Sequence, residues 1–344
     1  MYLSMKKIEN MIKAMAIGDH NGYKYENMNK NLVNIINPKF LKTVIKGNLL
    51  KDSTITDDTE HMILTYLALK SKNNISVEGF STELEKHIKK WFSTFPIGIG
   101  KATLKSCFKL TLLKKNYKNS GHFSAGNGPL MRAPIVGAFY YDNEKKRDDY
   151  IKVSTIITHT DPLAELTAYS TADIVSFLMT NNIKKDKSKF IKETLKIIQN
   201  SKNKVIITDN TLLIWDKFYS EVESISFENY ENYMNCHFKK GVSGFCLDTL
   251  KMCILQIYHF NDLKTIIENC VLAGGDTDST AGIAASIYSA SNDDLDIAHD
   301  ISIEFLFKII NGSYIYRLSY SIMEWINSLF SLWRFIYILK KIKK

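Results

Sequence analysis

Apolar residues recur along this chain at helical spacing. Ile8, Met11, Ile12, Met15 and Ala16 fall at i, i+3, i+4, i+7 and i+8, one face of an amphipathic helix. Met62, Ile63, Tyr66 and Leu67 repeat the pattern, as do Leu163, Leu166, Ile174, Phe177 and Leu178 after Asp161-Pro162. Proline suits the first helical position, because its missing N–H would have had no partner there. Cys246 and Cys253 lie seven apart, on one face of a predicted buried helix. Strand signals are few, and the best run, Val205 to Thr208, stands alone. With no alternation of strands and helices, the pattern predicts an all-α fold. Polar loops are expected at 70–76, 142–149 and 181–188, the last two as charged, solvated turns.

Composition narrows the class. The chain has 344 residues, 45% hydrophobic and 24% charged, which excludes a disordered chain and a polytopic membrane protein. Its net charge of +9 invites a nucleic-acid partner. Yet only Arg132, Arg147, Arg317 and Arg334 are arginines, against 41 lysines. Base readout favours arginine, whose planar fork makes bidentate contacts, so nucleic acid is not the expected partner. The five cysteines form no CxxC pair, so neither a disulfide framework nor a thiolate zinc site is expected. Residues 1–19 lack a continuous apolar core of the kind a secretory signal needs. A reducing, cytoplasmic setting follows.

Two acidic clusters carry the chemistry. Thr56-Asp57-Asp58-Thr59 precedes one helical stripe, and Gly274-Gly275-Asp276-Thr277-Asp278-Ser279 precedes a helix of small residues. Capping explains either cluster alone: Asp57-x-x-Glu60 reads as a capping box, and acids complement a helix N-terminus. Capping needs one acceptor, however, and adjacent carboxylates repel each other unless a cation relieves them. A shared dinuclear site is the better account of both, and hard oxygen donors suit Mg²⁺ or Mn²⁺ rather than zinc. The stretch Ser124 to Arg132, with glycines on both sides of Asn127, reads as an anion-cradling loop or as an ordinary turn. Thr158-His159-Thr160-Asp161-Pro162 places a histidine ahead of a helix, where a structural hydrogen-bonding role is the ordinary one.

In this order the segments resemble the ADP-ribosylglycohydrolase family. The matching stretches are Gly18 to Gly22, Thr56 to Glu60, Gly126 to Arg132, Thr158 to Pro162, Ser243 to Thr249 and Gly274 to Ser279, within residues 8 to 290. The resemblance implies a single compact helical domain with a dinuclear Mg²⁺ centre in a cleft, Mn²⁺ being the alternative. The metal ligands it implies are Thr56, Asp57, Asp58, Asp276, Asp278 and Ser279. Gly126, Asn127, Gly128 and Met131 would face the ADP-ribose, and His159 would line the substrate side. Asp57 or Glu26 would accept the proton of the attacking water. The implied activity is hydrolysis of the glycosidic bond of a mono-ADP-ribosylated protein or small molecule.

The chain departs from the family pattern twice. Gly98 stands where many members carry an aspartate in Asp-Ile-Gly, and the usual Ile-Pro-x-x-Trp stretch is not evident after Ala290. The combination of Asp58-Thr59-Glu60-His61, Gly98-Ile99-Gly100 and Ser124 to Arg132 looks like a distinct bacterial-type branch, whose substrate need not be ADP-ribosyl-arginine. Two other functions fit less of the sequence. One is a metal-dependent nucleotide phosphohydrolase, to which His299-Asp300 bears only a superficial likeness. The other is a non-catalytic ADP-ribose-binding member, against which the full set of ligand types argues.

The end of the chain changes character. Residues 1–312 are read as the enzyme domain and 313–344 as a separate apolar and basic tail. The tail holds Arg317, Arg334, Lys340, Lys341, Lys343 and Lys344 against Glu324, a net charge of +5. Glu324 and Arg334 interrupt its apolar run, so it reads as a terminal helix packed on the domain or on a dimer mate, or as an interfacial helix on anionic lipid, rather than as a membrane span.

Overall fold

The computed structural model describes residues 2–36, 54–72, 76–184, 186–292 and 302–342, the side chains of 2–4 and 330–342 excepted. Among them the fold is all-α. Helices α1 (Tyr2–Tyr23), α2 (Lys30–Ile36), α3 (Asp57–Lys70), α4 (Val77–Phe92) and α5 (Lys101–Thr111) come first. They are followed by α6 (Tyr117–Ser120), α7 (Ala133–Phe139), α8 (Glu144–Ile156), α9 (Pro162–Thr180) and α10 (Lys187–Ser201). Then come α11 (Asp209–Ser224), α12 (Tyr230–His237), α13 (Cys246–His259), α14 (Leu263–Ala273) and α15 (Thr277–Ser289). Two more, α16 (Ile303–Asn311) and α17 (Tyr314–Ile342), complete the order.

The centre of the molecule is the pair α1 and α15. Gly18 and Gly22 let them approach closely: a Cβ on Gly18 would lie 2.4 Å from the Ala281 carbonyl oxygen, and one on Gly22 would lie 2.3 Å from that of Thr277. This contact carries Asp19 of α1 toward the first turn of α15. Helices α13 and α14 pack on the other sides of α15, α3 and α7 on α1, and α7, α8 and α10 on α9. The stripe Met11, Ile12, Met15 and Ala16 is fully buried, as are Cys246 and Cys253 of α13.

Two local expectations change. Residues 142–149 are not a solvated turn: Asn143 caps α8 by accepting from the Lys146 N–H at 3.0 Å, and the buried Arg147 pairs with Asp173 at 2.6 Å. A charge-rich stretch is helical here because its arginine has a buried carboxylate to meet. Val205 to Thr208 forms no strand; it connects a 3₁₀ turn to α11, and the described residues offer no strand for it to pair with. His299-Asp300 lies outside the described residues. No helix among the described residues is long and apolar enough to cross a membrane.

Candidate metal and substrate site

The carboxylates of neither cluster are spent on capping their helix. Thr56, not Asp57, caps α3, its hydroxyl oxygen accepting from the Asp58 N–H at 3.3 Å. Glu60 does not close a capping box either. Its carboxylate accepts from Trp91 Nε1 at 2.5 Å and from Arg317. At the second cluster Asp276 holds the cap position of α15 but makes no side-chain capping bond. Its Oδ2 accepts instead from the Asn127 amide at 2.7 Å.

What these carboxylates meet is each other's surroundings. Asp58 Oδ2 accepts from the Thr56 hydroxyl at 3.3 Å and from the Ser279 hydroxyl at 2.9 Å, which joins the two clusters across 221 residues of chain. Asp58 Oδ1 and Asp278 Oδ1 are buried without a hydrogen-bond partner. Burial pushes the carboxyls of Asp57, Asp58 and Asp278 well above the usual range, and neighbouring carboxylates push them further. Glu26, half-buried after the end of α1, is pushed up to about 7 by burial and then by the charge of Asp276. A buried carboxylate without a hydrogen-bond partner is costly, and proteins resolve that cost by pairing or metal coordination. Among the described residues, no three His, Cys, Asp or Glu side chains are gathered closely enough to hold a metal ion as they stand. The donors present are nonetheless all hard oxygens, with two of them unpartnered, and that chemistry fits Mg²⁺ or Mn²⁺.

The backbone around the second cluster is a three-way junction. Gly274 and Gly275 have φ of +74° and +88°, where only glycine is unstrained. Gly275 donates to the Met28 carbonyl at 2.7 Å and accepts from the Asn27 N–H at 2.8 Å. The Val242 N–H donates to Gly274 at 2.9 Å, and Asp276 donates to Val242 at 2.8 Å. A Cβ on Gly275 would lie 2.0 Å from the Val242 oxygen. The glycines thus admit the chain's own backbone, and in doing so bring Glu26 and the Ser243 to Thr249 stretch beside Asp276.

The loop carrying Asn127 is fixed by the same stretch. Asn127 N donates to the Gly244 carbonyl at 3.0 Å, and its side-chain amide also donates to the Thr249 hydroxyl at 3.0 Å. Gly126 and Gly128 do not have positive φ. They are small because His159 packs on them: a Cβ on Gly128 would lie 2.6 Å from His159 Cε1. His159 Nδ1 lies 2.9 Å from the Thr158 hydroxyl, and burial followed by the charge of Arg132 pushes its pKa down to about 3. It is a neutral imidazole. Met131 is buried in the hydrophobic core.

Sequence reading missed three groups. Asp19 lies within a matched stretch but was given no role. Its carboxylate accepts from Thr56 N at 2.9 Å, Thr59 N at 3.2 Å and the Thr59 hydroxyl at 2.5 Å, so it anchors the start of α3. Burial still pushes it up to about 6. Arg132 is wholly buried and donates to Ser154 O at 3.0 Å, the Thr158 hydroxyl at 2.5 Å and His61 Nδ1 at 3.0 Å. Since guanidinium only donates, His61 is neutral with its proton on Nε2. The third group is Glu60 with Arg317. Gly98, in turn, sits at φ +82°, and a Cβ there would lie 2.9 Å from Asp57 Oδ1. The departure from the family pattern therefore falls directly beside a candidate metal ligand.

With this helical fold and its twin acidic helix starts established, the comparisons with known proteins place the chain. A model of the ADP-ribosylglycohydrolase family matches residues 4–292, and the chain belongs to that family. Its members are mostly enzymes and typically depend on Mg²⁺. It is 25% identical over 292 residues to an uncharacterized protein of Archaeoglobus fulgidus, covering 83% of this chain and 87% of that one. A solved structure titled "ADP-ribosylglycohydrolase-related protein complex" shares the fold, with a TM-score of 0.58 and 16% identity over 94% of this chain and 100% of that chain.

Proposed function

We propose that this protein hydrolyses the glycosidic bond of mono-ADP-ribosylated substrates, using two Mg²⁺ ions, for which Mn²⁺ could substitute. The observation that carries the reading is the pair of unpartnered buried oxygens, Asp58 Oδ1 and Asp278 Oδ1, on carboxylates left free by both helix caps. Thr56, Asp57, Asp58, Asp276, Asp278 and Ser279 would hold the cations. When bound, the ions supply Lewis acidity that grips ribose hydroxyls and acidifies water. Glu26, at about 7, is poised to accept the proton of the attacking water, and Asp57 is the second candidate for that step. The bond that breaks is the one between the anomeric carbon and the acceptor atom, through oxocarbenium-like charge.

The remaining residues shape the cleft. Asn127 holds Asp276 in place with one face of its amide and is itself held by Thr249. His159 is an uncharged wall against Gly126 and Gly128, so it presents no positive charge of its own to a diphosphate. The test is release of ADP-ribose from ADP-ribosylated arginine, serine and nucleic-acid substrates in Mg²⁺. Asp57→Ala and Asp276→Ala are each expected to abolish release, and full activity in either overturns the reading. Binding of ADP-ribose without turnover of any substrate would instead mark a non-catalytic member.

A further inference from the structure

Helix α17 is turned inside out. Its inward positions are polar: Arg317 and Ser321 are 1% exposed and Glu324 2%, with Tyr320 between them at 3%. Its outward positions are apolar: Ile315 is 76% exposed, Ile322 52%, Ile326 39% and Leu329 64%. A helix packed on a water-soluble domain shows the opposite pattern. The helix cannot roll to hide its apolar stripe, because its inner side is pinned. Arg317 pairs with Glu60 and donates to the Thr94 hydroxyl at 3.2 Å, and the Tyr314 hydroxyl donates to Ser93 O at 3.1 Å. Trp325 Nε1 donates to Phe95 O at 2.9 Å, and Phe95 itself is 70% exposed. The stripe and this aromatic pair form one apolar face.

We propose that this face rests on an anionic lipid surface, with α17 lying in the plane of the interface. The sequence states what the partner must supply. The helical spacing of Ile322, Ile326 and Leu329 runs on through Trp333 and Ile336 to Lys340, Lys341, Lys343 and Lys344. An apolar stripe with a tryptophan, ending in clustered lysines, matches acyl chains beneath negative headgroups. A second copy of the chain offers no such complement, since its own net charge is +9. No helix among the described residues is both long and apolar enough to cross a membrane. The proposal is independent of the catalytic reading.

Flotation of the full chain with vesicles tests it. Binding is expected to vesicles of phosphatidylcholine mixed with phosphatidylglycerol, to weaken as salt rises, and to be absent from phosphatidylcholine alone. The combined change Ile322→Ser, Ile326→Ser and Leu329→Ser lies at exposed positions, so it should keep the melting temperature and lose flotation. Changing Lys340 and Lys341 to glutamine should weaken binding by on the order of tenfold. Absence of flotation with both vesicles overturns the proposal. So does a dimer seen in sedimentation that the serine variant dissolves while vesicle binding stays absent, which would make the face a subunit interface.

Discussion

Asn127 shows how much rests on one amide. Its two N–H bonds reach Asp276 Oδ2 and the Thr249 hydroxyl, so a single side chain ties the Gly126 to Arg132 loop to α15 and α13. Asn127→Asp would replace both donors with a carboxylate facing Asp276. Mg²⁺ affinity, measured by titration calorimetry, should fall by roughly 10–100-fold, the usual effect of losing a group that orients a ligand. His159 offers a second test, through pH. Its pKa is about 3 in the folded protein, and about 6.5 in an unfolded chain. Within that window the unfolded chain takes up a proton that the fold refuses. The contribution of His159 is therefore full above about 6.5 and is lost as pH falls toward 3. Buried carboxylates such as Asp19, raised to about 6, pull the other way, because the fold binds their proton more tightly. The comparison must be with His159→Gln: urea midpoints of the two proteins should converge as pH drops from 7.5 to 4.5. A constant gap would show that the imidazole does not resist protonation.

At the scale of elements, the start of α3 is the point where local pattern and long-range contact divide the work. Sequence made the acids, their order and the helix that follows them legible, because those depend on spacing along one stretch of chain. It also offered a capping box on Asp57 and Glu60 as the alternative to a shared metal site, and the structure does not form that box. Thr56 takes the cap, and Glu60 turns away to a guanidinium 257 residues later. No spacing rule reports such a partner. The same holds for Gly126 and Gly128, read as part of an anion-cradling loop or a turn but needed for the width of an imidazole. The family resemblance supplied the register of distant segments, which periodicity alone could not. The Glu60–Arg317 pair is fully buried, so removing one half strands the other. Arg317→Ala should destabilise the protein by about 3–5 kcal/mol, read from urea unfolding. Arg317→Met combined with Glu60→Gln should recover a large part of that loss, since it removes both charges together. If the double variant is as unstable as Arg317→Ala, the helix docks for reasons other than this pair.

For the molecule as a whole, the acidic centre sets stability against function. Packing α1 against α15 and setting α3 beside them forces Asp19, Asp57, Asp58 and Asp278 into one buried region, where Asp58 and Asp19 push up Asp57, Asp19 pushes up Asp58, and Asp58 and Asp19 both push up Asp278. Without cations, that arrangement must cost the fold, as functional sites often do. Asp58→Asn keeps an oxygen for the Thr56 and Ser279 hydroxyls while deleting one charge, so in EDTA the variant should melt above the parent. With Mg²⁺ the order should reverse. A ligand at 100 times its dissociation constant stabilises the folded state by about 2.7 kcal/mol, and the variant has lost much of that site. Melting curves of both proteins, each with EDTA and with Mg²⁺, therefore predict a crossing rather than a parallel shift. Two curves that rise together, or that ignore Mg²⁺ altogether, would mean the carboxylates are not a cation site. A crossing would tie the instability of the metal-free fold to the same oxygens that the proposed chemistry needs.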